Sequence, residues 1–183
     1  MSTAETELRR ESNLRDEGEQ NSRMVNLEVS GLPKLEGETR EDCKQLAADV
    51  MKLVNSEFSI ESVDGAHRKM AGGLIVRFMN RTVRNEVFQK GFALQGKKSH
   101  NVAPRFAGTS MNICINENLS YARSLLLKSC RDKLKDINRG VEDKDLRLKF
   151  NTVRGQIMVQ EAPRGNFRKI KTFNDFTRVH PNV

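Results

Sequence analysis

Residues 25–33 read Val25-Asn26-Leu27-Glu28-Val29-Ser30-Gly31-Leu32-Pro33, and their alternation decides the fold class. Val25, Leu27 and Val29 take one face of an extended chain and Asn26, Glu28 and Ser30 the other, which is the period of a half-buried strand. Gly31 and Pro33 stop it, so the folded part of the chain opens on a sheet. Moving toward the C-terminus, the period changes from two to 3.6. Thr39 followed three residues later by Asp42 is a helix-start signature, and Cys43, Leu46, Ala47, Val50, Met51 and Val54 recur at helical spacing, predicting a helix over about residues 40–55.

Residues 60–68 read as a second strand, although Gly65 lies inside it. After Gly72 and Gly73, Leu74, Val76 and Phe78 alternate with Ile75 and Arg77 as a third strand. Asn80 is placed to cap a second helix carrying Val83, Val87 and Phe88 and ending near Gly91. Strand, helix, strand, strand, helix is the order of a split βαβ sheet that lacks only its closing strand. Residues 93–102 are a poor candidate for that strand, and 96–108 read as a linker.

A second unit is expected to begin with a strand over Met111–Asn116, then Asn118 or Ser120 as cap and a helix to about Ile137. Ala122, Leu125, Leu126, Cys130, Leu134 and Ile137 form its expected buried stripe. Leu146, Leu148 and Phe150 alternate with Arg147 and Lys149, the run NTVRG turns the chain, and Gln156–Gln160 returns as a partner strand. The fold class is therefore α+β: a ferredoxin-like βαββα unit over 25–100, whose order invites comparison with RNA-recognition motifs, then a unit over 101–162 with a helix and a β-hairpin. Residues 1–24, with Leu8 and Leu14 their only large aliphatics before Met24, read as a disordered or residual coiled-coil tail. Residues 163–183 read as a flexible basic tail in which FNDF (173–176) suggests a short helix.

Charge points to the partner. The 183 residues carry a formal net charge of +8 and a pI near 9.6. Residues 1–24 hold 4 basic and 6 acidic groups, 25–100 hold 12 and 10, and 101–183 hold 16 and 8. Attraction for a polyanion should therefore be strongest in the last part. No stretch approaches the roughly 20 apolar residues that span a bilayer, and MSTAETELRR lacks the apolar core of a secretory signal, so the expected setting is intracellular, cytoplasmic or nuclear, with no membrane partner. Cys43, Cys114 and Cys130 are an odd number at wide spacing inside apolar patterns and read as reduced core thiols.

No catalytic constellation emerges. The chain lacks GxxxxGK[ST], GxSxG and HExxH, and His67, His100 and His180 have no Cys or His at metal-ligand spacing, so no enzyme, metal or cofactor is expected. Glu41 and Asp42 sit at a helix start, where the helix dipole favours negative charge.

The candidate site residues are basic. Arg77 lies opposite Leu74, Val76 and Phe78 on its strand, and Arg81 and Arg84 stand three apart on the next helix. Lys128, Arg131 and Lys135 share one helix face, and Arg147, Lys149 and Arg154 take the polar side and turn of the hairpin. The sequence leaves open whether helix face and hairpin adjoin. If they do, they track a phosphate backbone without sequence readout, with Arg164, Arg168, Lys169 and Lys171 as a flexible arm. The two base-stacking strands of an RNA-recognition motif lack their rings here. Leu27–Leu32 puts Glu28 at one stacking position, and Ala71–Phe78 puts Gly73 and Ile75 at two others. With no Trp, one Tyr and nine Phe, several of them facing the core, phosphate contacts rather than stacking should supply the affinity.

The succession NLEVSGLP (26–33), a helix, DGAHRK (64–69), LIVRFMNRTVRNEV (74–87), ICINENLS (113–120), a Leu-rich basic helix and FNTVRGQIMVQ (150–160) resembles the first-open-reading-frame proteins of LINE-type, non-LTR retrotransposons. It is similar also to the few-polyhedra (FP) protein of baculoviruses and to the invertebrate genes that share its C-terminal domain. The likeness covers about residues 25–162.

The resemblance implies an RNA-recognition-motif domain and a small α/β domain that bind single-stranded RNA or DNA, coat element RNA and act as nucleic-acid chaperones. It also implies homo-oligomerisation through a preceding coiled coil, which shrinks here to a remnant at most. It places Arg77, Arg81 and Arg84 on the basic VRF-x-NR-x-x-R run, Arg123 and Arg131 on the helix after INENLS, and Arg154 on the hairpin turn. The FP likeness implies an alternative, a protein-interaction or virion-structural module.

Overall fold

The computed structural model describes residues 3–70 and 72–181. Met1, Ser2 and Ala71, the last being the first residue of the expected third strand, lie outside the described residues, as do 182 and 183. The architecture is α+β, with two antiparallel sheets. The chain divides into two compact units, Arg23–Asn118 and a second made of Met1–Ser22 with Leu119–Val183.

The first unit holds β1 (Asn26–Ser30), α2 (Arg40–Val54), β2 (Val63–Arg68), β3 (Leu74–Phe78), α3 (Arg81–Gln89) and β4 (Cys114–Glu117), after α1 (Thr3–Arg23). Its sheet runs β2-β3-β1-β4. Leu27, Val29, Leu74, Val76 and Phe78 project from one face and are buried with Leu46, Val50 and Met51 of α2 and Val87 of α3. Removing such a side chain from water contributes about 1.5–3 kcal/mol, which is why the period-two and period-3.6 runs find each other. Both helices start where sequence places them. Asp42 N–H donates to Thr39 Oγ1 (3.1 Å), Thr39 N–H donates to the Asp42 carboxylate (2.9 Å), and Val83 N–H donates to Asn80 Oδ1 (3.0 Å).

The closing strand is not at 93–102. It is β4, expected to open the second unit, and it pairs instead with β1 in the register Leu27↔Glu117 and Val29↔Ile115. The unit boundary thus falls between Asn118 and Leu119 rather than near residue 100. The intervening segment is a series of 3₁₀ turns whose Leu94, Phe106 and Ile113 enter the same core. Three anchors spaced without a period carry no helical or strand signal, so the segment looks like a linker. Gly31 permits the close approach this needs: at φ +84, a Cβ there would sit 1.9 Å from the Asn112 carbonyl oxygen.

The second unit holds most of α1, α4 (Tyr121–Ile137), a sheet of β5 (Phe150–Val153), β6 (Gln156–Gln160) and β7 (Phe167–Ile170), and α5 (Phe173–Val179). Its core joins Cys130 and Leu134 of α4, Ile157, Val159 and Ile170 of the sheet, and Phe176 of α5. Burial pushes the Cys130 thiol up to about 11, which keeps it protonated and unreactive at neutral pH. Cys43 is also buried, but Cys114 is exposed on β4. Two members of the expected helix stripe are exposed, Ala122 and Leu125, while Leu127 packs against the core with Leu126 and Ile137.

The expected basic arm is ordered. β7 pairs with β6, and Thr172 caps α5 through a capping box with Asp175. Its signal is faint because Ile170 is the one β7 side chain that is buried. The polar N-terminal stretch is helical as well, and polar groups hold it in this unit. Gln20 Oε1 accepts from Ser120 N–H (2.7 Å), the Ser120 hydroxyl bonds the Asp16 carboxylate, and Asp16 pairs with Arg123 (2.8 Å). Docking by hydrogen bonds leaves no apolar period to read.

Two predictions arise here. Gly155 has φ +71 and a Cβ on it would lie 2.5 Å from Gln20 Nε2, so Gly155→Ala should cost about 1–3 kcal/mol, read as a lower denaturant midpoint. Secondly, burial pushes His180 below its ordinary 6.5, and its Nε2 is buried without a hydrogen-bond partner. The unfolded chain therefore takes up the proton first as pH falls below 6.5, and folded-state stability drops through that window. Thermal unfolding should show a lower Tm at pH 5.5 than at 7.5, and His180→Gln should flatten that dependence.

Candidate nucleic-acid interface

The open face of the first sheet follows from its register. Glu28, Ile75, Arg77, His67 and Asn116 project opposite the buried Leu27, Val29 and Val76. Its charges cancel in pairs: Lys69 Nζ lies 2.8 Å from Glu28, and Arg77 Nε lies 2.9 Å from Asp64. No Phe, Tyr or Trp is among these outward residues, and His67 supplies their one ring.

The VRF-x-NR-x-x-R run separates into three environments. Arg77 is in that exposed ion pair, and Arg81 is exposed at the start of α3. Arg84 is a correction: its guanidinium turns inward, 2.9 Å from Glu117, with side-chain exposures of 3% and 1%, and sits 5.0 Å from the Phe88 ring. A side chain so buried meets no phosphate. Helix periodicity explains the turn, since Arg84 follows Asn80 by one turn and lies beside Val87 and Phe88 on the face toward β1, whose Asn26 carbonyl it also contacts (3.3 Å). A similar buried pair joins Arg68 to Glu38 (2.6 Å), and the guanidinium hydrogen bond holds the Glu38 carboxyl below its ordinary range.

The second unit is different, because there the helix face and the hairpin adjoin. Arg123 Nη1 donates to the Gly155 carbonyl (2.9 Å) near the start of α4, and the Arg131 guanidinium stacks 5.1 Å from the Phe150 ring at its middle. At its end, Asn138 Nδ2 donates to the Leu148 carbonyl (2.9 Å) while Leu148 N–H donates to Asn138 Oδ1 (2.8 Å). Residues 123, 131 and 138 thus meet 155, 150 and 148, so α4 lies antiparallel along the edge strand β5. At 1.5 Å per residue the seam runs about 22 Å.

Lys128, Arg131 and Lys135 are exposed on the helix side and Arg147, Lys149 and Arg154 on the hairpin side, with Lys149 turned to the sheet face away from α4 because its neighbour Phe150 meets Arg131. Lys128, Lys149 and Arg154 have no ion pair with a described residue. Lys135 has Asp132 at 3.4 Å, an exposed pair of the kind that contributes about 1 kcal/mol or less and leaves the ammonium available. Arg147 Nε donates to the Val141 carbonyl (2.8 Å), which fixes its position without neutralising it. Arg154 and Gly155 are the two central turn residues, with φ of 51° and 71°, the left-handed pair that matches the twist of a two-residue hairpin.

Arg123 is the second correction. Its Nε is 2.8 Å from Asp16 and its Nη1 is spent on Gly155, so it fastens α1, α4 and the hairpin together. Of the expected arm, Arg168 pairs with Glu161 (3.1 Å), whereas Lys169 and Lys171 are exposed without an ion pair to a described residue. Sequence reading missed Asn138, whose two hydrogen bonds seat the end of the seam, and Phe167, which is exposed on β7. The second was detectable from the alternation Phe167, Lys169 against Arg168, Ile170.

A comparison with models of known protein families finds no match, and a comparison with characterised proteins finds none either. Among the described residues, no group of three or more His, Cys, Asp or Glu side chains is placed to hold a metal ion. No helix among them is long and apolar enough to cross a membrane. The geometry of the seam therefore carries the functional reading.

Proposed function

We propose that the chain is a nonenzymatic single-stranded nucleic-acid-binding protein, related to the retrotransposon first-open-reading-frame proteins, that holds RNA or single-stranded DNA by phosphate contacts on its second unit. The observation that carries this reading is the clasp of α4 on the β5–β6 hairpin, which brings together six exposed cations, five of them without an ion pair to a described residue. The strand order β2-β3-β1-β4, with two helices packed on one face, supports an RNA-recognition-motif-like first domain. Its ion-paired open face, which carries no Phe, Tyr or Trp, supports a scaffold role there.

Filter binding of RNA and DNA 20-mers over a salt series tests the proposal. Retention at low ionic strength that falls steeply with salt and varies little with sequence is expected; no detectable retention at low ionic strength overturns it. Leu8 and Leu14, 67% and 60% exposed on α1, favour a second reading as a self-associating interaction module. Light scattering with and without nuclease separates the two, because oligomers that survive nuclease belong to the second.

A further inference from the structure

The outer face of the second sheet, which faces away from the core of α4 and α5, is exposed along its two edge strands, while Gln160 at its centre is buried. Register places Asn151, Met158 and Lys169 in one row across the three strands, and Gln160 and Phe167 in the next. The Gln160 N–H to Lys149 carbonyl bond (2.9 Å) adds Lys149 to that second row. Alternation carries Val153 and Lys171 to the same side. The outward positions of 149–153, 156–160 and 167–171 contain three lysines, one ring, one Met, one Val and amides, and no carboxylate. Phe167 is 42% exposed and Val153 46%.

Strand spacing sets the distances. Same-side neighbours along a strand are about 6.7 Å apart and adjacent strands about 4.8 Å apart. Phe167 therefore lies one step from Lys169 along β7 and two strands from Lys149, with Met158 diagonal to it. Single exposed apolar side chains are ordinary on protein surfaces. A ring beside Met158, flanked on two sides by ammonium groups and by no acid, is complementary to a base with phosphates on either side.

We propose that Phe167 is a base-stacking residue, and that the outer face of β5-β6-β7 receives the bases of a strand whose phosphates lie on the α4–β5 seam. Lys149 stands on the edge strand common to both surfaces and links them. This rests on the phosphate reading above and adds a subsite to it. Stacking on a protein ring tolerates any base, so the subsite contributes affinity without sequence preference.

The test uses the full chain and two uniform probes, a dT 12-mer and an abasic phosphodiester 12-mer of the same charge, followed by fluorescence anisotropy at fixed salt. The wild-type protein is expected to bind the base-bearing probe roughly tenfold more tightly than the abasic one. Phe167→Ala should abolish that preference and leave abasic binding and the salt slope unchanged, while Phe167→Tyr should retain it. The sequence has no Trp, so a Phe167→Trp variant reports directly: its emission should quench with dT and not with the abasic probe. Equal wild-type binding of both probes, or a preference that survives Phe167→Ala, overturns the stacking proposal and leaves the phosphate track standing. Failure to bind either probe at low salt overturns both.

Discussion

A triple variant, Lys128→Ala with Arg131→Ala and Arg154→Ala, should bind a single-stranded RNA about a hundredfold more weakly than the wild-type protein at 0.1 M salt. Each phosphate neutralised on a single strand contributes about 0.7 to the slope of log K against log salt, so three lost contacts remove about two units of slope. Over the tenfold interval from 1 M to 0.1 M that is about two decades of affinity. The same variant should melt within a few degrees of wild type, because all three residues are exposed. The one packing loss is the Arg131 guanidinium over Phe150, about 0.5–1 kcal/mol for a cation over a ring at an exposed site. A collapse of the melting transition would instead show these cations to be structural.

Arg84→Ala should have the opposite signature. It strips the guanidinium from the Glu117 carboxylate, whose side chain is 1% exposed, and removes the contact to the Asn26 carbonyl. Breaking a buried ion pair from one side costs about 3–5 kcal/mol, a large part of the stability of a domain this size. Urea denaturation should show the loss as a lower midpoint of the first unit. Replacing both partners by apolar residues, Arg84→Met with Glu117→Leu, should recover most of it, since the pair's own net worth after desolvation is small. At a temperature where Arg84→Ala remains folded, its salt slope for RNA should equal that of wild type. A reduced slope with unchanged stability would return Arg84 to the binding surface.

These two variants mark what sequence can and cannot say about a basic residue. Strand and helix periods located β1, β3, α2, α3 and the β5–β6 hairpin, because each buries an apolar face whose spacing is written locally. The β4 strand is legible but its unit is not, since strand partners 90 residues apart leave no local trace and the core anchors between them, Leu94 and Phe106, have no period. α1 stayed hidden because Asp16 and Gln20 dock it through polar bonds. Among the arginines, charge count alone made Arg84, Arg123 and Arg131 look alike. Tertiary pairing separates them: Glu117 takes the first into the core, Asp16 and Gly155 take the second into a structural clasp, and only the third keeps its charge at the surface. The seam itself depends on Asn138, a helix C-cap whose side chain reaches ten residues onward to Leu148, and nothing in a helix-ending Asn announces that reach.

The most direct measurement is the salt dependence of wild-type binding to a single-stranded 20-mer between 50 mM and 300 mM monovalent salt. Six cations of α4 and the β5–β6 hairpin should give log K falling against log salt with a slope of about −4, shrinking to about −2 in the triple variant. A wild-type slope near zero, or one the triple variant leaves unchanged, would contradict a phosphate track on the second unit.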